Sequence, residues 1–274
     1  MISLPIGPKV IKKEGNKAIF EIGELFPGYG VTIGNALRRV LLSSLEGAAI
    51  TQVKIKNVSH EFSTIPGVLE DVINIILNLK KLRFKNFSDE SQKAILVVKG
   101  KKEVKGSDFK VPSQLELVSK DVHVATLTSK DANLEIEVKI EKGIGYQIKD
   151  RDEEDVEVGV ILMDSIFTPV QKVSFRLENM RVGDRTDFDK LSLEIETDGT
   201  ISPEEALSQA SDILLKHFDL ISGSFEKKID KKKDKKKVLK ETKKPAKKEK
   251  KVVKKTVKKV KKTVKKTVKK PKKK

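Results

Sequence analysis

The chain has 274 residues, a formal net charge of +18 and no cysteine, which excludes disulfides, thiolate nucleophiles and cysteine-ligated zinc or iron–sulfur centres. The charge is unevenly placed: from Glu226 to Lys274, 28 lysines face five acids, leaving the preceding residues at a net −5. Two prolines interrupt the first ten residues, and no stretch reaches the roughly 20 apolar residues needed to cross a bilayer. A cytoplasmic protein with no membrane contact is expected.

The first strongly marked element begins near Ile33. Ile33, Leu37, Val40, Leu41 and Ser44 share one face at 3.6 residues per turn, so a helix is predicted, with Thr32 as its cap and Gly47 just past its end. Arg38 and Arg39 lie on the other face, with no acid within four positions on either side. Two such guanidiniums make either a solvated polar face or a surface built for multi-donor contact with a partner.

Val53 and Ile55 alternate with Lys54 and Lys56, the period of a half-buried strand. Pro66 and Gly67 introduce a second predicted helix, in which Val68, Leu69, Val72, Ile73, Ile75, Ile76 and Leu79 cover more than half the circumference. Burial between layers is expected for it. Ala94 to Val98 reads as a short, more fully buried strand. Alternation returns at Leu134, Ile136, Val138 and Ile140, at Val173, Phe175 and Leu177, and at Leu191, Leu193 and Ile195.

Ser202-Pro203-Glu204-Glu205 is a helix start: a hydroxyl cap, proline in the first turn, and acids on the positive end of the dipole. Ala206, Leu207, Ala210, Ile213, Leu214, His217, Phe218 and Ile221 then line one face. The fold class is α+β.

Catalytic chemistry is poorly supported. His60, His123 and His217 belong to no ligand-spaced motif, and His217, on an apolar helix face, is expected to be structural. The acids from Asp150 to Asp155 lack the glycine and ligand spacing of a calcium loop and read as a solvated loop. Gly28-Tyr-Gly30 and Gly143-Ile-Gly145 read as turns without a phosphate-loop pattern. No catalytic residue, metal site or cofactor is expected in this chain.

The last 49 residues are mostly Lys, Val and Thr, and no aromatic follows Phe225. Such a stretch buries too little apolar surface to fold alone, so residues 227–274 are expected to be a disordered tail. Val253, Val257, Val260, Val264 and Val268 keep a spacing of four or three, which either drifts from a repeat or marks a helix that forms once phosphates neutralise the lysines. Lys254, Lys255, Lys258, Lys259, Lys261 and Lys262 are the candidate DNA contacts. With no Arg or aromatic for base readout, their sequence preference is expected to be weak.

Three long strings carry a family resemblance. Gly28-Tyr-Gly-Val-Thr-Ile-Gly-Asn-Ala-Leu-Arg-Arg-Val-Leu-Leu-Ser-Ser-Leu-Glu-Gly47 is similar to the signature helix of the bacterial RNA polymerase alpha subunit. His60 to Leu79 and Arg185 to Ala206 resemble two further signatures, in the family's order. The resemblance implies a discontinuous dimerisation domain, a sheet with two main helices, from residues 1–46 and 174–226, and an inserted, mostly β domain at 47–173. It implies a homodimer packed through Leu37, Val40, Leu41, Ser44, Leu207, Ala210, Leu214 and Phe218. Arg38 and Arg39, with Gly67, Glu70 and Asp71, would engage the beta subunit. Arg181 and Arg185 of the other copy would face beta-prime, with omega and sigma joining in the holoenzyme. The alpha subunit is thus expected to be a non-catalytic scaffold of a nucleotidyltransferase. The family's compact C-terminal domain finds no match in the Lys-rich segment, so its activator and promoter-selective roles are not expected here.

The main alternative is a stand-alone nucleic-acid-compacting protein, since the tail resembles those of lysine-rich linker histones; the acidic body argues against it. A metal-dependent enzyme using the 150–155 acids is a third reading. Archaeal and eukaryotic counterparts are nearer rivals, but the Arg38–Ser44 string and absent cysteines look more bacterial.

Overall fold

The computed structural model describes residues 4–148 and 159–241, with side chains through Gly223. In chain order the elements are β1 (Lys9–Glu14), β2 (Lys17–Leu25), α1 (Tyr29–Ser43), β3 (Glu46–Ile55), α2 (Val72–Leu79), β4 (Phe84–Asn86), β5 (Gln92–Lys99) and β6 (Lys102–Lys105). There follow β7 (Phe109–Lys110), β8 (Leu115–Leu117), β9 (His123–Leu127), β10 (Asn133–Ile144), β11 (Tyr146–Gln147), β12 (Val160–Leu162), β13 (Ser165–Ile166), β14 (Val170–Val182), β15 (Arg185–Thr197) and α3 (Pro203–Glu241). The fold class is mixed α+β, mostly strand.

Two compact units are formed, residues 1–214 and 215–274. The first contains two larger sheets. One, in the order β1-β2-β15-β14, is drawn from both ends of the unit. The other is built from the residues between, in the order β7-β5-β10-β3-β4-β8, with β12 also on β3. Each has its own core. Leu37, Leu41 and Leu45 pack with Ala206, Leu207 and Ala210 over Phe20, Leu193 and Ile195 of the first sheet. Val72, Ile75 and Leu79 pack over Val53, Leu96, Ile136 and Val138 of the second. A fully buried leucine such as Leu41 contributes about 2 kcal/mol of transfer free energy.

Helix α1 begins at Tyr29, four residues before the predicted start. Thr32 is no cap; its hydroxyl donates back to the Gly28 carbonyl. The cap is instead the carboxylate of Asp189 on β15, which accepts from the N–H groups of Gly28 and Gly30 at 2.9 and 3.0 Å. Gly30 is therefore in the first turn, not in a loop. Its missing Cβ would lie 2.5 Å from Leu177 Cδ2, and that of Gly34, one turn on, 2.9 Å from Leu191 Cδ1, so these two glycines let the helix lie close on the sheet.

Gly47 does not end the helix. Ser44 closes the last turn by donating to the Val40 carbonyl, and Gly47 belongs to β3, opposite Gly143 of β10. A Cβ on Gly47 would meet the Phe167 carbonyl oxygen, and one on Gly143 would meet the Phe167 ring at 2.8 Å. Both glycines serve a crossing: the chain leaves the first sheet at residues 45–47 and returns to it at 167–170.

Helix α2 is shorter than predicted, because residues 67–69 pair with 126–128 instead. Leu69 N donates to Thr126 O at 3.0 Å, and Thr128 N donates to Gly67 O at 2.8 Å. Nor is it buried all round, for Ile73 and Leu77 are exposed, as is Leu69 just before it. The 94–98 run also alternates: Ala94, Leu96 and Val98 are buried, whereas Ile95 and Val97 face outward. The core around Val72, Ile75 and Leu79 covers one face of this strand, and among the described residues Ile95 and Val97 on the other face are left exposed.

Helix α3 starts as predicted, with a reciprocal capping box: Glu205 N donates to Ser202 Oγ, and Ser202 N to Glu205 Oε2. It continues to Glu241. Lysine is a good helix former, and no proline interrupts this stretch. The remainder of the tail lies outside the described residues.

A candidate partner-binding surface

Helix α1 presents two sides. Leu37 and Leu41 are consumed by the chain's own core, as are Leu207 and Ala210 of α3. Of the residues expected at a dimer interface, Val40, Ser44 and Leu214 remain half-buried and Phe218 is exposed. Leu215, Leu220 and Ile221 are exposed beside it in sequence. His217 is exposed too, contrary to the structural role expected of it. A helix exposes its side chains all round wherever nothing packs on it.

Arg38 and Arg39 are exposed, and among the described residues neither guanidinium has an ion-pair or hydrogen-bond partner. Arg185 differs. Its guanidinium makes a two-point contact with Asp187, at 3.0 and 2.6 Å, and lies 5.5 and 5.2 Å from the ring centroids of Phe26 and Phe188. The two rings meet edge-on at 6.2 Å, and Tyr29 meets Phe26 likewise at 6.1 Å. The Asp187 carboxylate is held below its ordinary range, chiefly by the bond from Arg185. A charged cluster with aromatic walls thus stands at the α1 N-terminus. Arg181 is nearby in the β14–β15 hairpin, donating from Nε to the Gly183 carbonyl at 2.8 Å.

The 67–71 segment is held by one carboxylate. Glu70 accepts from Thr126 N at 2.6 Å, from Thr126 Oγ1 at 3.0 Å, and sits 2.9 Å from His123 Nε2. Burial raises the Glu70 pKa, but the bonds from Thr126 and His123 outweigh it and hold the carboxyl below its usual range. Glu70 therefore faces its own domain, while Gly67 takes a φ of +80° with Ala132 beneath it. Asp71 occupies the N-cap position of α2 without a side-chain cap bond. Sequence reasoning missed the outward stripe of Leu69, Ile73 and Leu77; its signal was their four-residue spacing, separable from the buried Val72, Ile75 and Leu79.

The tail lysines Lys254, Lys255, Lys258, Lys259, Lys261 and Lys262, and the 150–155 acids, lie outside the described residues. Among the described residues no group of three His, Asp or Glu side chains is placed to hold a metal, and no helix is long and apolar enough to cross a membrane.

Residues 53–168 match the RNA polymerase Rpb3/RpoA insert domain, which defines a chain built around that domain. Full-length comparison is more specific. The DNA-directed RNA polymerase subunit alpha of Syntrophomonas wolfei is 50% identical over 209 residues, 76% of this chain and 66% of that protein. The subunit of the same name from Chloroherpeton thalassium is 49% identical over 208 residues, 74% and 63% of the two chains. That of Desulfitobacterium hafniense strain Y51 is 46% identical over 215 residues, 78% and 68%. The chain belongs to the DNA-directed RNA polymerase subunit alpha family. It spans just under two thirds of the length of the first two of these relatives.

Proposed function

We propose that this chain is the homodimerising assembly subunit of a bacterial RNA polymerase, carrying no cofactor and no active site of its own. The observation that carries the reading is the 46–50% identity to alpha subunits through the folded body, signature helix included. Residues 1–46 and 174–226 form the dimerisation domain, and 47–173 the inserted one. The dimer packs Val40, Ser44, Leu214 and Phe218 across a two-fold axis, an isologous contact that closes on itself. What supports this is the exposed apolar side chains that continue along α3 at Leu215 and Phe218.

The beta subunit meets Arg38, Arg39 and the 67–71 segment of one copy; beta-prime meets Arg181 and Arg185 of the other. Omega and sigma join through the large subunits. The unpaired guanidiniums of α1 support the first assignment, because an interface arginine needs free donors. The Lys-rich tail gives non-specific electrostatic contact with DNA, and the complex works in the cytoplasm.

The test is co-expression with the beta and beta-prime subunits of the same polymerase. A particle containing two copies of this chain and one of each large subunit is the expected product. Purification of this chain alone, bound to nucleic acid, would overturn the reading in favour of a compacting protein.

A further inference from the structure

Two covalent connections join the two sheets of the first unit, and they cross where Gly47 passes under the Phe167 carbonyl. Two crossing strands make a pivot, which leaves rotation about it to be fixed by something else. Beside the pivot lies a cleft of about 180 Å³, lined from one side by Thr200, Ile201 and Gln209 and from the other by Phe84, Asn86 and Lys142. Packing there is incomplete.

Among the described residues an ion pair spans this junction. Arg83 Nε, from the stretch between α2 and β4, lies 3.4 Å from Asp198 Oδ2, on the turn between β15 and α3. The Asp198 side chain is only 4% exposed. Both members are anchored within their own halves. The Asp198 backbone N–H donates to Pro169 O, and its Oδ1 accepts from Thr200 N and Thr200 Oγ1 at 3.0 and 2.6 Å. Arg83 donates from its guanidinium to Lys80 O at 3.0 Å, and its backbone N–H donates to Ser119 Oγ at 2.7 Å. Surface ion pairs contribute little because long side chains must be ordered to make them. Here the ordering is already done by other bonds, and one charge is buried, so the pair holds direction as well as distance.

We propose that the Arg83–Asp198 pair is the positioning contact that fixes the angle between the two sheets. It thereby sets the separation of the Arg38–Arg39 surface from the 67–71 segment. The second half of this statement rests on the reading that both surfaces meet one large subunit.

The absence of cysteine from the chain makes a clean test available. Cysteines introduced at the exposed positions Lys12 and Lys99, one on each sheet, carry spin labels in the full-length protein, and the label-to-label distance distribution is read. Arg83→Met and Asp198→Asn should each broaden or shift it; Asp198→Asn keeps the Oδ1 acceptor for Thr200 and removes only the charge. Arg83→Lys should restore the distribution, which loss of fold would not allow, and labels at Lys12 and Lys17 within one sheet should not move. Recovery of the beta subunit should fall with the broadening. An unchanged distribution in both charge-removing variants would overturn the joint. A changed distribution with undiminished beta recovery would leave the joint standing and sink the shared-partner reading.

Discussion

Asp189 Oδ2 lies 3.0 Å from the backbone nitrogen of Gly30, a residue 159 positions earlier. Two donors at the α1 N-terminus, the N–H groups of Gly28 and Gly30, are thus satisfied by the sheet on which the helix rests, while the Tyr29 N–H between them donates to the Phe26 carbonyl. Asp189→Ala removes this cap and should cost about 1–2 kcal/mol of stability, read as a lower denaturant midpoint at unchanged slope. An unaltered midpoint would mean that water caps the helix equally well.

Arg39→Ala should leave melting within about 0.5 kcal/mol of the parent, because the side chain has no partner to lose. Dimer sedimentation should also be unchanged, whereas recovery of the beta subunit should drop. Normal recovery would remove the reason for singling out this residue.

Glu70 gives a pH signature. Its folded-state pKa is depressed below the ordinary glutamate value, so its stabilisation is fully present above that ordinary value. It is lost as pH falls from there through the lower folded pKa. Glu70→Gln should therefore destabilise the protein at neutral pH and converge with the parent at acid pH. Parallel stability curves for the two proteins across this range would refute the assignment.

Glu24 sits at φ +57°, at the bulge where β2 carries one residue more than β15. A left-handed conformation costs an L-residue roughly 1–2 kcal/mol, part of which glycine gives back as unfolded-state entropy. Glu24→Gly should raise stability by about 0.5–1 kcal/mol. A fall in the melting temperature would show that the Glu24 side chain contributes more than its backbone strain costs.

Tail binding is tested by ending the chain at Glu241, which preserves the whole of α3. Eight to ten phosphate contacts lose about 10³- to 10⁵-fold in affinity between roughly 50 and 200 mM salt. Polymerase assembled with the shortened chain should show a flatter slope of DNA affinity against salt. Equal slopes would place the tail's partner elsewhere.

Most strands were legible because one face of each sheet is buried: Leu134 to Ile140 and Leu191 to Ile195 announce themselves by period alone. What escaped was set by partners distant in sequence. The start of α1 depends on Asp189, and the first turn expected of α2 is surrendered to pairing with residues 126–128. Gly47 looked like a helix stop because nothing local reveals the Phe167 carbonyl above it. Of the candidate surface, the unpaired arginines of α1 were readable from the missing acids around them. The inward commitment of Glu70 was not, since Thr126 and His123 are more than fifty residues away.

The first sheet also constrains the order in which the molecule forms. Ile19 on β2 pairs with Glu194 on β15, so the amino-terminal hairpin and α1 have no sheet to join until the ribosome has made nearly 200 residues. At synthesis rates of about 5–20 residues per second, that wait lasts on the order of 10–40 seconds. The middle of the chain is free to fold meanwhile, and its closure brings residues 45–47 and 167–170 together. Truncated chains ending near residue 168 and released from the ribosome should thus already protect the second sheet from proteolysis while β1, β2 and α1 remain cleavable. Uniform protection or uniform cleavage would show that the halves fold as one step.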